Sequence, residues 1–113
     1  MKKRTLKELP RSYQELWAKH PNVANSHKKL VEACKKAGPI KSKNCELIKL
    51  AIAVGAGLYG AIHSHTRQAL EYGATPDEVR HTVILSTTTI GLSKMMQAKR
   101  WIEESIAESG IED

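Results

Sequence analysis

Proton chemistry in this sequence is best served by two histidines two positions apart, His63 and His65 in "GAIHSHTRQALEYG", and by Glu46, which precedes them in "NCELIKL". Imidazole titrates near neutral pH, and a carboxylate beside it orients its tautomer and raises its basicity, as a general base requires. Side chains two apart on a helix point about 200° away from each other. His63 and His65 therefore cannot ligate one metal from a regular helix, the H-x-H zinc reading fails, and no metal or cofactor is expected. Of the two, His65 shares the face made by Leu58, Ile62, Ala69 and Tyr72. His63 falls with Gly60 and Arg67 on another side, toward a neighbour, solvent or a subunit contact. Each candidate also has a purely structural reading. His65 is either a base or a satisfied core histidine, and Glu46 is either its partner or a helix-start carboxylate favoured by the macrodipole.

Cys34 and Cys45, the only cysteines, are separated by "KKAGPIKSKN". That is neither a C-x-x-C redox pair nor a zinc pattern, and both read as small, half-buried packing residues. Cys45 beside Glu46 leaves a reactive thiol as a lesser alternative.

The elements that must position these groups read as helices throughout, since no stretch alternates at period two. A short helix is expected from Ser12 to Lys19, ended by His20-Pro21. A second runs from about Ser26 to Ala37, with Leu30, Ala33 and Cys34 as its inner stripe and Gly38-Pro39 as its stop. The third starts near Ser42–Asn44 and is apolar nearly all round, which predicts a central, buried helix. In "VGAGLYG" the glycines predict a break or a very close helix crossing, close enough to bring Glu46 and His65 together. The fourth helix ends at Gly73. "TPDE" opens the fifth, with Thr75 as N-cap, Pro76 at the first helical position and Glu78 closing a capping box. Val79, Val83, Ile84 and Leu85 are expected to point inward, and "STTTIG" to form a buried helix end stopped by Gly91. The sixth helix, about Ser93 to Glu108, carries Met95, Met96, Trp101, Ile102 and Ile106 as core or subunit interface. The expectation is one all-α domain over residues 1–113, with basic N-terminal helices up to residue 40 and a core over 41–108.

Composition agrees with a small globular protein: 113 residues, 41% hydrophobic and 27% charged. The apolar stretch Leu47–Ile62 includes Lys49 and several glycines and falls short of a membrane span. "MKKRTLKELP" leads into no signal-peptide core, so a cytoplasmic location is expected. Residues 1–43 hold twelve of the 18 Lys and Arg against three acids, a net +9, whereas residues 44–113 hold six against nine, a net −3. Such a basic front half is a solvated lysine-rich face or an attractor of an anionic substrate, nucleic acid or a second subunit. Nucleic acid is not expected as a partner, because only Tyr13 and Trp17 are placed for stacking there.

"CELIKLAIAV…GLYGAIHSHTRQALEYGATPDEVRHTVIL" resembles the carboxymuconolactone decarboxylase and alkylhydroperoxidase D-like family, over about Leu30 to Glu104. That family's thiol branch carries E-x11-C-x2-C-x3-H followed by A-x3-G. Glu46, His65, Ala69 and Gly73 match it, as Gly91 matches the glycine ending the next helix. The two cysteine positions fall on Leu58 and Ala61. Peroxide reduction by disulfide cycling needs an attacking thiolate and a resolving thiol within reach, so peroxiredoxin-like activity is not expected. The lactone decarboxylase branch also lacks the cysteines and keeps the histidine. The resemblance implies an all-helical orthogonal bundle of about six helices that self-associates as a dimer, trimer or hexamer, with its site near subunit boundaries.

Three functional readings follow. The first is a decarboxylase- or isomerase-type enzyme acting on an anionic small molecule, with His65 as general acid or base and Glu46 orienting it. His63, Arg67, Tyr59, His81 and Arg80 are then candidate substrate contacts. The second is a non-enzymatic oligomeric scaffold or binding protein whose pocket is filled by Leu58, Tyr59 and Ile62. The third is residual thiol activity through Cys45.

Overall fold

The computed structural model describes residues 9–111, so the basic run at residues 2–7 lies outside the described part. The described chain forms two compact units that meet in sequence at Ile40 and Lys41.

The first unit is a helical hairpin of α1 (Arg11–Lys19) and α2 (Pro21–Lys36). The reversal takes one residue. His20 leaves helical geometry at φ −135°, and its N–H still donates to the Leu16 carbonyl at 2.8 Å. Pro21 then begins α2, five residues before the expected start at Ser26. A proline suits the first helical position, where its missing N–H would have no partner. The expected inner stripe of α2 is a correction: Leu30, Ala33 and Cys34 are all exposed, and Ala24 is the buried residue of the helix. The cause is length. Nine residues of α1 span about 13 Å and sixteen of α2 about 24 Å, so α1 covers only the early turns of α2.

The second unit contains α3 (Ser42–Ala56), α4 (Tyr59–Glu71), α5 (Pro76–Leu85), the single turn α6 (Thr87–Ile90) and α7 (Leu92–Ser109). All regular structure among the described residues is helical. α3 packs along α4, α4 along α7, and α5 against both α3 and α7. Leu50, Ile62, Val79, Val83 and Ile102 are fully buried and form the centre of this core. Burying each such side chain contributes about 1.5–3 kcal/mol, before the opposing loss of chain entropy.

The glycine-rich stretch breaks the helix by capping it, not by close crossing. Gly57 takes the left-handed conformation, φ +69°, after which Leu58 N–H donates to Ala53 O and Gly57 N–H to Val54 O. This is the Schellman arrangement, which satisfies carbonyls left over at a helix end. The same pattern closes α4, where Gly73 at φ +95° and Ala74 donate back to Leu70 and Ala69. A Cβ added at Gly55, Gly57 or Gly60 would meet no atom within 4 Å, so the expected close approach through these glycines is corrected. At the start of α5 the capping box forms as expected: Glu78 N–H donates to Thr75 Oγ1 at 3.1 Å and Thr75 N–H to Glu78 Oε1 at 3.0 Å.

Three further expectations about burial are corrected. α3 is not covered all round, because Ile48 and Ile52 face outward opposite its buried stripe of Glu46, Leu50, Ala53 and Val54. Ile84 and Leu85 of α5 are exposed, leaving Val79 and Val83 as its core contacts. α6 buries no side chain, and in α7 Met96 is half exposed while Met95, Ile102 and Ile106 are buried. The buried residues lie on faces that meet another helix of the unit, and the exposed ones lie off them. Apolar residues left outside line a groove of about 390 Å³ between α3, α5 and α6, with Leu47, Ala51, Leu85 and Ile90 among its walls.

Candidate functional site

Glu46 lies one turn into α3 on the stripe that carries Leu50 and Ala53, and that stripe packs on α4. The chain reverses at Gly57-Leu58, so the first half of α3 runs beside the second half of α4. His65 follows Ile62 by three positions and precedes Ala69 by four, placing it at the edge of the buried face of α4. His65 Nδ1 stands 2.9 Å from Glu46 Oε1. The carboxylate is fully buried, whereas the imidazole keeps 22% of its side-chain surface open. Lys49, one turn beyond Glu46, sets its Nζ 2.9 Å from Oε2.

Electrostatics follow from this arrangement. Burial by itself pushes the Glu46 carboxyl up, since the charged form loses its water. The hydrogen bond from His65 and the ammonium of Lys49 beside the other oxygen outweigh burial and hold it below the ordinary carboxylate value. Glu46 is thus an ionised, acceptor-only group. The ring nitrogen facing it must be the one that bears hydrogen, so Nδ1–H donates to Oε1 and Nε2 is the nitrogen left with a lone pair. A general base or acid of this form exchanges protons at Nε2 while the carboxylate steadies the imidazolium.

The remaining candidates do not converge on this pair. His63 points to the other side of α4, as the helical spacing requires. Its ring lies 4.6 Å from that of Tyr59 and its nitrogens 3.7 and 3.9 Å from the carboxylates of Glu104 and Glu108 on α7. Tyr59 in turn meets Trp101 edge-on at 5.2 Å, and Ser105 Oγ donates to the His63 carbonyl at 3.2 Å. These contacts fasten α4 to α7. Arg67 pairs with Glu71 at 3.7 Å. Arg80 grips Glu103 through Nε and Nη2, both at 2.9 Å, and reaches Asp77 at 3.3 Å, bridging α5 to α7. Hydrogen bonding from Arg80 holds the Glu103 carboxyl below its ordinary value. His81 is exposed on α5. Leu58 and Tyr59 are about half exposed, so the filled pocket pictured for a scaffold does not form around them; Ile62 alone of the three is buried. Neither cysteine forms a disulfide; Cys45 is half-buried as expected, and Cys34 is exposed, a correction that follows from the uncovered end of α2.

Lys49 is the member of the cluster that sequence reasoning passed over. It was visible only as a charge interrupting an apolar stretch, yet its spacing from Glu46, three residues on one helix, is the ordinary signature of a side-chain ion pair. The apolar groove, by contrast, is not part of the site. Leu47, Ile48, Ala51 and Gly55 line it from the face of α3 turned away from Glu46, Lys49 and Ala53.

An all-helical protein with a buried carboxylate clasped between an imidazole and an ammonium is the class that fold and geometry define. The chain belongs to the carboxymuconolactone decarboxylase family, whose model matches residues 21–104. No curated protein and no solved structure matches it. Among the described residues no helix is long and apolar enough to cross a membrane.

Proposed function

We propose that this chain is an acid–base enzyme of the decarboxylase or isomerase kind, acting on an anionic small molecule through His65, with Glu46 as its orienting partner. The contact between a fully buried Glu46 and a partly open His65 at 2.9 Å supports this reading most. A carboxylate is costly to bury, and its placement against the one ring nitrogen that needs fixing gives the cost a chemical purpose. In an isomerisation, Nε2 takes a proton from carbon and returns it at another position. In a decarboxylation, the C–C electron pair stays on the substrate as CO2 leaves, and Nε2–H of the imidazolium protonates the resulting carbanion. Isomerisation returns the ring to its starting form, whereas after decarboxylation the now neutral ring takes a proton back from water before the next turn. Family membership and the match of Glu46 and His65 to the family pattern add to this reading, and Leu58 and Ala61 at the thiol positions weigh against peroxide chemistry. The test is a panel of anionic lactones and unsaturated carboxylic acids, followed by CO2 release and by exchange of substrate hydrogen for deuterium in D2O. Turnover that survives His65→Gln unchanged would remove the proposal.

A second reading, an oligomeric binding protein, draws on the outward-facing Ile48, Ile52, Ile84 and Leu85. Exposed apolar side chains of this kind favour self-association. Sedimentation of the parent and of Leu85→Glu tests it: a single-copy mass for both would end it. Self-association is compatible with the enzymatic reading as well.

A further inference from the structure

The two oxygens of Glu46 have different partners, His65 Nδ1 on Oε1 and Lys49 Nζ on Oε2, each at 2.9 Å. A carboxylate removed from water needs a counter-charge. If His65 alone supplied it, the ring would be held as imidazolium and could not accept a proton. We propose that Lys49 is the positioning residue of a Lys49–Glu46–His65 relay, neutralising Glu46 so that His65 stands as an uncharged base with Nε2 bare. This rests on the reading of His65 as the acid–base group.

Geometry sets the size of the effect. Each nitrogen is in contact with its own carboxylate oxygen, so ammonium and ring lie within about 8 Å of each other. In an environment of effective dielectric about 20, repulsion over that span disfavours the imidazolium on the order of tenfold or more. Other charged groups near α4 are engaged elsewhere: Glu104 and Glu108 of α7 face His63, Arg80 of α5 faces Glu103, and Arg67 of α4 faces Glu71. Glu46 is the charged group in contact with His65, and Lys49 is the cation on its other oxygen. Lys49 is also well placed for a test, because 31% of its side chain is open to water and its replacement need not disturb the core.

The experiment follows the ring 15N signals of His65 by NMR as pH is varied, in the parent and in Lys49→Met, Lys49→Arg, Glu46→Gln and the double variant Glu46→Gln/Lys49→Met. The relay predicts that the titration midpoint moves up by about one pH unit in Lys49→Met and stays with the parent in Lys49→Arg. It also predicts a lower midpoint in Glu46→Gln than in the double variant, since Lys49 then repels the imidazolium with no carboxylate between them. This second comparison decides the matter if Lys49→Met does not fold. Coincident midpoints in Lys49→Met and the parent, or in Glu46→Gln and the double variant, would overturn the proposal. The measurement needs no substrate, so its failure is separate from the failure of the enzymatic reading, which the His65→Gln assay decides.

Discussion

On one side of α4, His65 meets a carboxylate with no exposed surface at 2.9 Å; on the other, His63 lies 3.7 and 3.9 Å from carboxylates that are about half open to water. The helix, the residue type and the class of partner are the same, and the physical situation is opposite. Exposed pairs at such distances are screened and contribute about 0–1 kcal/mol. A buried carboxylate has no such freedom, and removing one member of its cluster leaves the others uncompensated. Proximity of an acid to a histidine is therefore weak evidence by itself; burial of the acid and the identity of the nitrogen it fixes separate a candidate for chemistry from a fastening between helices.

The comparison can be broken at several points. The largest effect is expected in turnover. His65→Gln should lower kcat on a confirmed substrate by about 10²–10⁴, the range a positioned acid or base supplies, while His63→Gln stays within a few-fold; equal losses would erase the distinction. Next is stability. Glu46→Ala should cost about 3 kcal/mol, the low end for breaking a buried pair because Lys49 and His65 can still reach water. Glu104→Gln and Glu108→Gln should each cost less than about 0.5 kcal/mol, as read from urea midpoints.

A smaller difference is expected in acid. Glu46 is held below its ordinary value of 4.5 in the folded chain. Its contribution to stability is thus present above the unfolded value and is lost as pH falls through the lower, folded one. Denaturation midpoints measured from pH 6 downward should decline less steeply below pH 4.5 in Glu46→Gln than in the parent. Smallest of all, Tyr59→Leu removes the ring contacts with His63 and Trp101 and should cost about 0.5–1 kcal/mol without moving the His65 titration.

Legibility in the sequence divides along similar lines. Helix ends with local chemistry were readable, because Thr75 with Glu78, Gly57, Gly73 and Gly91 fix their neighbours' backbone groups whatever the rest of the chain does. The proximity of Glu46 and His65 is also reachable from helical arithmetic, though by a mistaken route: Gly57 caps α3, Gly55 and Gly60 lie within helices, and none of the three stands in a close crossing. Burial of Ile48, Ile52, Ile84 and Leu85 was misjudged because periodicity counts apolar residues and not the neighbours available to cover them. A small unit of five short elements has too few faces to bury every apolar side chain. Lys49 is hidden for a related reason: a charge three residues from Glu46 takes on its role only once the fold buries that carboxylate.

Central to the account is a carboxylate that makes His65 a single tautomer with its outer nitrogen free. A long-range ¹H–¹⁵N correlation spectrum of the parent protein, taken where the His65 ring is neutral, reads this directly. One dominant form is expected, with hydrogen on Nδ1 and a bare Nε2. A ring carrying its hydrogen on Nε2, or dividing evenly between the two forms, would contradict it.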